Sequence, residues 1–158
     1  MATNKQKGIA VALAAIIAIP AEGIRQFAYY DPPGILTVCR GHTGPDVVKG
    51  RKYSLAECDA YMTADMRNAV NQVSACHPNL PVEVLAAFGD AVFNMGPTIA
   101  CDRKNSTAAR YLYAWQFADA CKQLPRWNKA RILGFLIELP GLTTRRGAER
   151  ELCLKGTS

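Results

Sequence analysis

The chain reads as an α+β protein, mostly helical, with a small antiparallel β-sheet near its N-terminus and a cleft between that sheet and the helical lobe. Two observations predict the helices. Ser54-Leu55-Ala56-Glu57 is a capping box, with Ser54 as N-cap and Glu57 reaching back, so a helix runs from about Leu55 into the Val70 region. Val84, Leu85, Phe88 and Val92 recur at helical spacing and give the next helix, which starts near Pro81, one buried face. A third observation predicts the sheet. Ile35-Leu36-Thr37-Val38-Cys39 is rich in β-branched residues and is bounded by the turn Asp31-Pro32-Pro33-Gly34 and the bend Arg40-Gly41-His42-Thr43-Gly44. At 158 residues the chain is one domain, long enough to bury a core without help from metals.

The first element is the uncharged run Gly8 to Ala21, dominated by Ala, Ile, Val, Leu and Gly and preceded by Lys5 and Lys7. As a helix these residues span roughly 21 Å, short of the roughly 30 Å hydrocarbon core of a bilayer. Three readings stand: a buried first helix, a cleaved secretory signal, or a weak anchor that reaches the inner membrane and later leaves it. Residues 1–21 are therefore set apart from 22–158 as an N-terminal helix. Beyond Glu22, the residues Ile24, Phe27 and Ala28 continue a helical spacing until the Pro-Pro-Gly turn.

Cys76-His77-Pro78-Asn79-Leu80-Pro81 breaks the second helix, and Gly96 stops the third. Ser106 stands where it would cap a helix over Thr107 to Leu112, and Trp115 to Leu124 is expected to be helical up to Pro125. The apolar run Ile132 to Ile137 carries no periodicity that assigns it to helix, core or a membrane-facing element. A last helix passes through Glu149 and Leu152 to Gly156.

A net charge of +6 draws the chain toward polyanions such as bacterial cell wall and anionic membranes. Nucleic acid is disfavoured, because no basic block, aromatic RNA-binding motif or zinc-finger spacing is present. Six cysteines in so short a chain point to an oxidising compartment such as the periplasm, and they permit fifteen pairings. Cys39 with His42, and Cys76 beside His77, raise zinc as the rival explanation; no C-x-x-C pair supports it, and no metal or cofactor is expected. A monomer is the default for a protein that enters a cell-wall mesh.

The chemistry concentrates in Glu22 to Thr43. Glu22 ends an apolar helical run, Asp31 lies nine residues on in a polar turn, and Thr37 follows six residues later. Two carboxyl groups in contrasting surroundings suit glycosidic bond cleavage, in which one acts as general acid and the other directs water. As the bland alternative, Glu22 pairs with Arg145 and Asp31 merely favours its turn.

Glu22-Gly23, Tyr30-Asp31, Gly34, Thr37 and Gly41-His42-Thr43 resemble, in order and spacing, the active-site segment of phage-type lysozymes, glycoside hydrolase family 24. Phe93-Asn94-Met95-Gly96, Ser106-Thr107, Leu124-x-Arg126-Trp127 and Gly141-Leu142-x-x-Arg145-Arg146 extend the likeness over about Pro20 to Gly156. The chain departs from the pattern at Cys39, where relatives carry glycine, and at Asn128 to Pro140, where an apolar run replaces a Gly-rich loop. The resemblance implies hydrolysis of the β-1,4 bond between N-acetylmuramic acid and N-acetylglucosamine in peptidoglycan. Glu22 is the implied acid, Asp31 and Thr37 hold the water, and His42, Phe93, Asn94, Gly96, Ser106 and Arg145 border the substrate. For several of these a structural role competes: a braced cleft wall for His42, a helix stop for Gly96, a cap for Ser106 and an internal salt bridge for Arg145. The amino terminus looks like that of the signal-anchor-release endolysins, which implies transient inner-membrane association through residues 8–21. Cysteine placement in exported members implies the pairs Cys39–Cys58, Cys76–Cys101 and Cys121–Cys153. Two rivals stand beside this reading, a lytic transglycosylase and a non-enzymatic cationic wall- or membrane-binding protein.

Overall fold

The computed structural model describes residues 1–158. Helix α1 (Asn4–Glu22) starts from a capping box in which Thr3 and Gln6 exchange side-chain and backbone hydrogen bonds. Ala10, Val11, Ala14 and Ala18 form its buried face; such small side chains let α1 lie close against α3 (Val82–Met95). Ile9, Ile16 and Ile19 remain exposed. Gly23, with φ at +62°, ends the helix one residue past the acid.

The helical spacing expected after Glu22 does not survive folding. Residues Arg25–Tyr30 form strand β1, paired antiparallel with β2 (Leu36–Cys39), which in turn pairs with β3 (His42–Thr43). The cause is tertiary: Gly23 redirects the chain, and Phe27, Tyr29 and Tyr30 suit a strand whose ladder is satisfied by β2. Tyr29 comes to lie opposite Thr37, and Thr37 opposite Thr43.

Helix α2 (Leu55–Cys76) begins at the Ser54 capping box and runs to the cysteine before the Pro-rich break. In α3 every residue from Val84 to Val92 is buried, which makes it the axis of a core shared with α1, α2 and the later helices. Short helices α4 (Thr98–Cys101), α5 (Thr107–Tyr113) and α6 (Phe117–Gln123) follow, and a 3-10 turn covers Leu124–Arg126. The helix expected from Trp115 starts two residues later, because Trp115 adopts a positive φ of 60° in the bend after α5. The apolar run that the sequence leaves unassigned is an antiparallel hairpin of β4 (Lys129–Ile132) and β5 (Phe135–Glu138). Helix α7 (Pro140–Lys155) then takes in the Gly141–Arg146 segment.

The cysteines are joined as Cys39–Cys58, Cys76–Cys101 and Cys121–Cys153. Loops of this size restrict the unfolded chain by about 3–4 kcal/mol each in the loop-entropy account. The first bridge also explains a departure from the family pattern. Cys39 has φ at +61°, a conformation that favours glycine, and its bond to the first turn of α2 holds it there.

Candidate active site

Three elements converge on Glu22, the last residue of α1. From α7, Arg145 Nη1 donates a hydrogen bond to Glu22 Oε1. From the β2–β3 turn, the backbone of Gly41 approaches so closely that a Cβ there would lie 2.9 Å from Glu22 Oε2, and its φ of +82° also requires glycine. The carboxyl group is therefore held between the helical lobe and the sheet.

Arg145 is itself fixed from below. Its Nε and Nη2 donate to the two oxygens of Asp90 at 2.9 and 2.8 Å, and both residues are buried. Burial opposes the guanidinium charge, but the hydrogen bonds and charge of Asp90, joined by Glu22, more than offset it and raise the pKa, so Arg145 stays cationic. Asp90 is a residue that sequence reading missed. It lies inside the apolar run of α3, and the one available signal was an acid at a position whose helical neighbours are all core. Next to it, Arg146 and Glu149 form a second fully buried pair at 3.1 Å, where burial and then Asp90 push the Glu149 carboxyl well above its usual range.

Asp31 and Thr37 sit on the β1–β2 hairpin and are anchored on one residue. Asp31 Oδ1 accepts from the Ile35 N–H at 2.7 Å, while the Thr37 hydroxyl donates to the Ile35 carbonyl at 2.9 Å. With its proton engaged, Thr37 presents acceptor lone pairs. On β1 of the same hairpin, opposite Thr37, is Tyr29, also missed from sequence, whose phenol is pushed up by burial and then by the charges of Glu22 and Asp31, against the opposing charge of Arg25. Both acids therefore bear electrostatically on one side chain.

The remaining expected residues divide. Phe93 lines a groove with Gly41 and Thr43, with its ring centroid 5.8 Å from the Arg145 guanidinium. Asn94 shares a groove of about 820 Å³ with Glu22 and Arg145, and its Oδ1 accepts from Arg146 at 2.6 Å. Gly96 ends α3, with φ at +89° and its N–H bonded to Val92. Ser106 is buried, donates to the Ile99 carbonyl at 2.6 Å and caps α5 by accepting from the Ala109 N–H at 3.1 Å, which is the cap of its two sequence readings.

His42 is engaged on both nitrogens, by Asp65 on α2 at 2.7 Å and by Asp46 at 2.9 Å, and stacks on Tyr61. It braces the cleft wall instead of offering a nitrogen to substrate. Burial disfavours its charge, yet the bonds to Asp65 and Asp46 outweigh this and raise its pKa above 6.5. A folded-state pKa above the unfolded one gives stability that is full below about pH 6.5 and disappears as the pH rises through the folded value. The melting temperature should fall across that window, and His42→Gln should flatten the fall; a wild-type curve as flat as the variant's would remove the brace.

The chain matches the Phage lysozyme family over residues 20–149. It is 36% identical over 136 residues to a SAR-endolysin of Bacteriophage PS119, covering 85% of this chain and 77% of the relative. A SAR-endolysin of Enterobacteria phage P21 is 35% identical over 136 residues, covering 85% and 78%. The crystal structure of the active form of the P1 phage endolysin Lyz has the same fold, with a TM-score of 0.77 at 22% identity over 92% of this chain and 85% of that one. With a family match over residues 20–149 and relatives 35–36% identical over 85% of its length, the chain belongs to the phage lysozyme family.

Proposed function

We propose that the protein is an endolysin with muramidase activity, hydrolysing the β-1,4 bond between N-acetylmuramic acid and N-acetylglucosamine in peptidoglycan. The observation that supports this reading is the anchoring of the three groups: an acid at the end of α1 clamped by Arg145, and a carboxylate and a hydroxyl both held on Ile35 in the β1–β2 hairpin. Glu22 protonates the leaving glycosidic oxygen. Asp31 and Thr37 both accept hydrogen bonds from a water below the ring, which aims the water's free lone pair at the anomeric carbon, and Asp31 takes its proton. Attack from the face opposite the leaving group inverts the anomeric configuration. Mass analysis of fragments from purified peptidoglycan tests the reaction. Reducing ends are expected; 1,6-anhydro ends, lighter by one water, would instead assign a lytic transglycosylase.

The protein is further proposed to reach the periplasm with α1 first lodged in the inner membrane. The SAR-endolysin relatives and the uncharged, Ala-rich α1 support this reading. No helix is long and apolar enough to cross a membrane, so any hold by α1 would be marginal. Because the face of α1 that packs on α3 also sets the position of Glu22, a chain with α1 in the bilayer lacks its acid. A Leu-rich replacement of Gly8 to Ala21 should leave the protein in the membrane fraction and block lysis; lysis on the normal schedule would sink the idea.

A further inference from the structure

We propose that the β4–β5 hairpin is a membrane-contact element that lays an apolar face and tip on an anionic phospholipid bilayer. This goes beyond the reaction proposed above and does not depend on it. The pairing Ala130 with Ile137 and Ile132 with Phe135 places these four side chains on one face, because directly opposed residues of an antiparallel pair share a side. The other face carries Lys129, Arg131, Leu136 and Glu138. The body of the protein covers the apolar face only in part: Ala130 and Ile132 are half-buried, but Phe135 is 72% and Ile137 41% exposed, and Leu136 on the other face is 61% exposed.

The tip supplies a second, independent observation. Leu133 is 92% exposed and has φ at +49°, followed by Gly134 at +83°. A two-residue turn with two positive φ values suits Asn-Gly, and a leucine there is unfavourable both for its backbone and for its contact with water. Nothing within the folded chain offsets that choice. A contact outside the chain does.

Charge and continuity select the partner. The Arg131 Nη1 donates to the Gly134 carbonyl at 3.1 Å, which holds a cation beside the apolar tip, and the chain carries a net +6. Anionic headgroups above acyl chains offer the complementary layering. Directly after β5, Leu139, Pro140 and Leu142 continue the apolar surface into the 820 Å³ groove, which Ile16 and Pro20 of α1 close from the other side. A sugar platform pairs an aromatic ring with flanking hydrogen-bonding side chains, whereas Phe135 here is accompanied on its face by Ala130, Ile132 and Ile137 alone. A second copy would need roughly 800 Å² per partner from about 20–30 residues, more than a two-stranded ribbon of this size offers.

The test is flotation of the oxidised, full-length protein with vesicles of phosphatidylglycerol and phosphatidylethanolamine, beside vesicles of phosphatidylcholine alone. Binding to the anionic vesicles that weakens with salt is expected. The double variant Leu133→Asn with Phe135→Ser should lose it by about ten-fold or more while keeping its activity on purified peptidoglycan. Should that variant lose its helical circular dichroism, Leu133→Asn alone, which suits the turn, carries the test through a several-fold loss. Arg131→Glu should weaken binding to the anionic vesicles. Variants that float as the parent does would assign any binding to α1 or to general charge and overturn the proposal. So would a parent that floats with neither vesicle, or one that self-associates through the hairpin without binding lipid.

Discussion

Glu22→Gln should reduce the clearing of purified peptidoglycan by about 10³-fold or more while leaving the protein folded. Gln is isosteric and can still accept the hydrogen bond from Arg145, and Arg145 keeps both bonds to Asp90, so the clamp around the acid persists. What disappears is the transferable proton. Without it the glycosidic oxygen must leave as an alkoxide, and the water held by Asp31 and Thr37 attacks a bond that does not break. The measurement is the rate of fragment release by wild type and variant at equal, oxidised concentration, with melting temperatures compared. Clearing by Glu22→Gln at the wild-type rate would remove the catalytic reading and leave the cationic binding protein as the explanation of lysis.

Asp90→Ala should act on stability and turnover together. Removing one partner of a buried ion pair leaves the other charge desolvated and costs about 3–5 kcal/mol, which corresponds to a fall of about 10 °C in melting temperature for a chain of this size. Arg145 would keep Glu22 as its remaining carboxylate partner and would swing away from the position that Asp90 defines. Below the melting transition, kcat should therefore fall by about ten-fold or more with KM little changed, because substrate contacts are intact and the acid is misplaced. Asp90→Asn, which retains one acceptor oxygen, should recover part of the turnover. A variant that melts early but turns over normally when folded would reduce Asp90 to a purely structural group. That kcat–KM split is the readout a merely stabilising residue would not move.

The proposed acids and their local elements are legible in the chain itself because the signals are local. Glu22 at the end of an apolar run, Asp31 in a Pro-Pro-Gly turn and Thr37 in the following strand depend on short-range signals. Capping boxes, turn residues and β-branched runs fix those elements before any long-range contact forms. The α2 and α3 helices and the Gly96 stop are legible for the same reason. Arg25 to Tyr30 was misread because a helix-compatible spacing carries no record of a partner strand; the ladder with β2 decided it. The Ile132–Ile137 run was unassignable because a short apolar stretch suits several environments, and only the pairing of Ile132 with Phe135 made it a hairpin.

By itself, then, the sequence determined the fold class, the helix boundaries set by caps and breaks, and the family, since each rests on neighbours within a few residues. Only the tertiary structure decided that Asp90, 68 residues from Glu22 in the chain, fixes the arginine that grips it. It also decided that His42 braces the cleft wall, that Ser106 is a cap, and that an apolar hairpin stands in water. Buried charges and exposed apolar faces are properties of what surrounds a residue, and surroundings exist only once the chain has closed on itself.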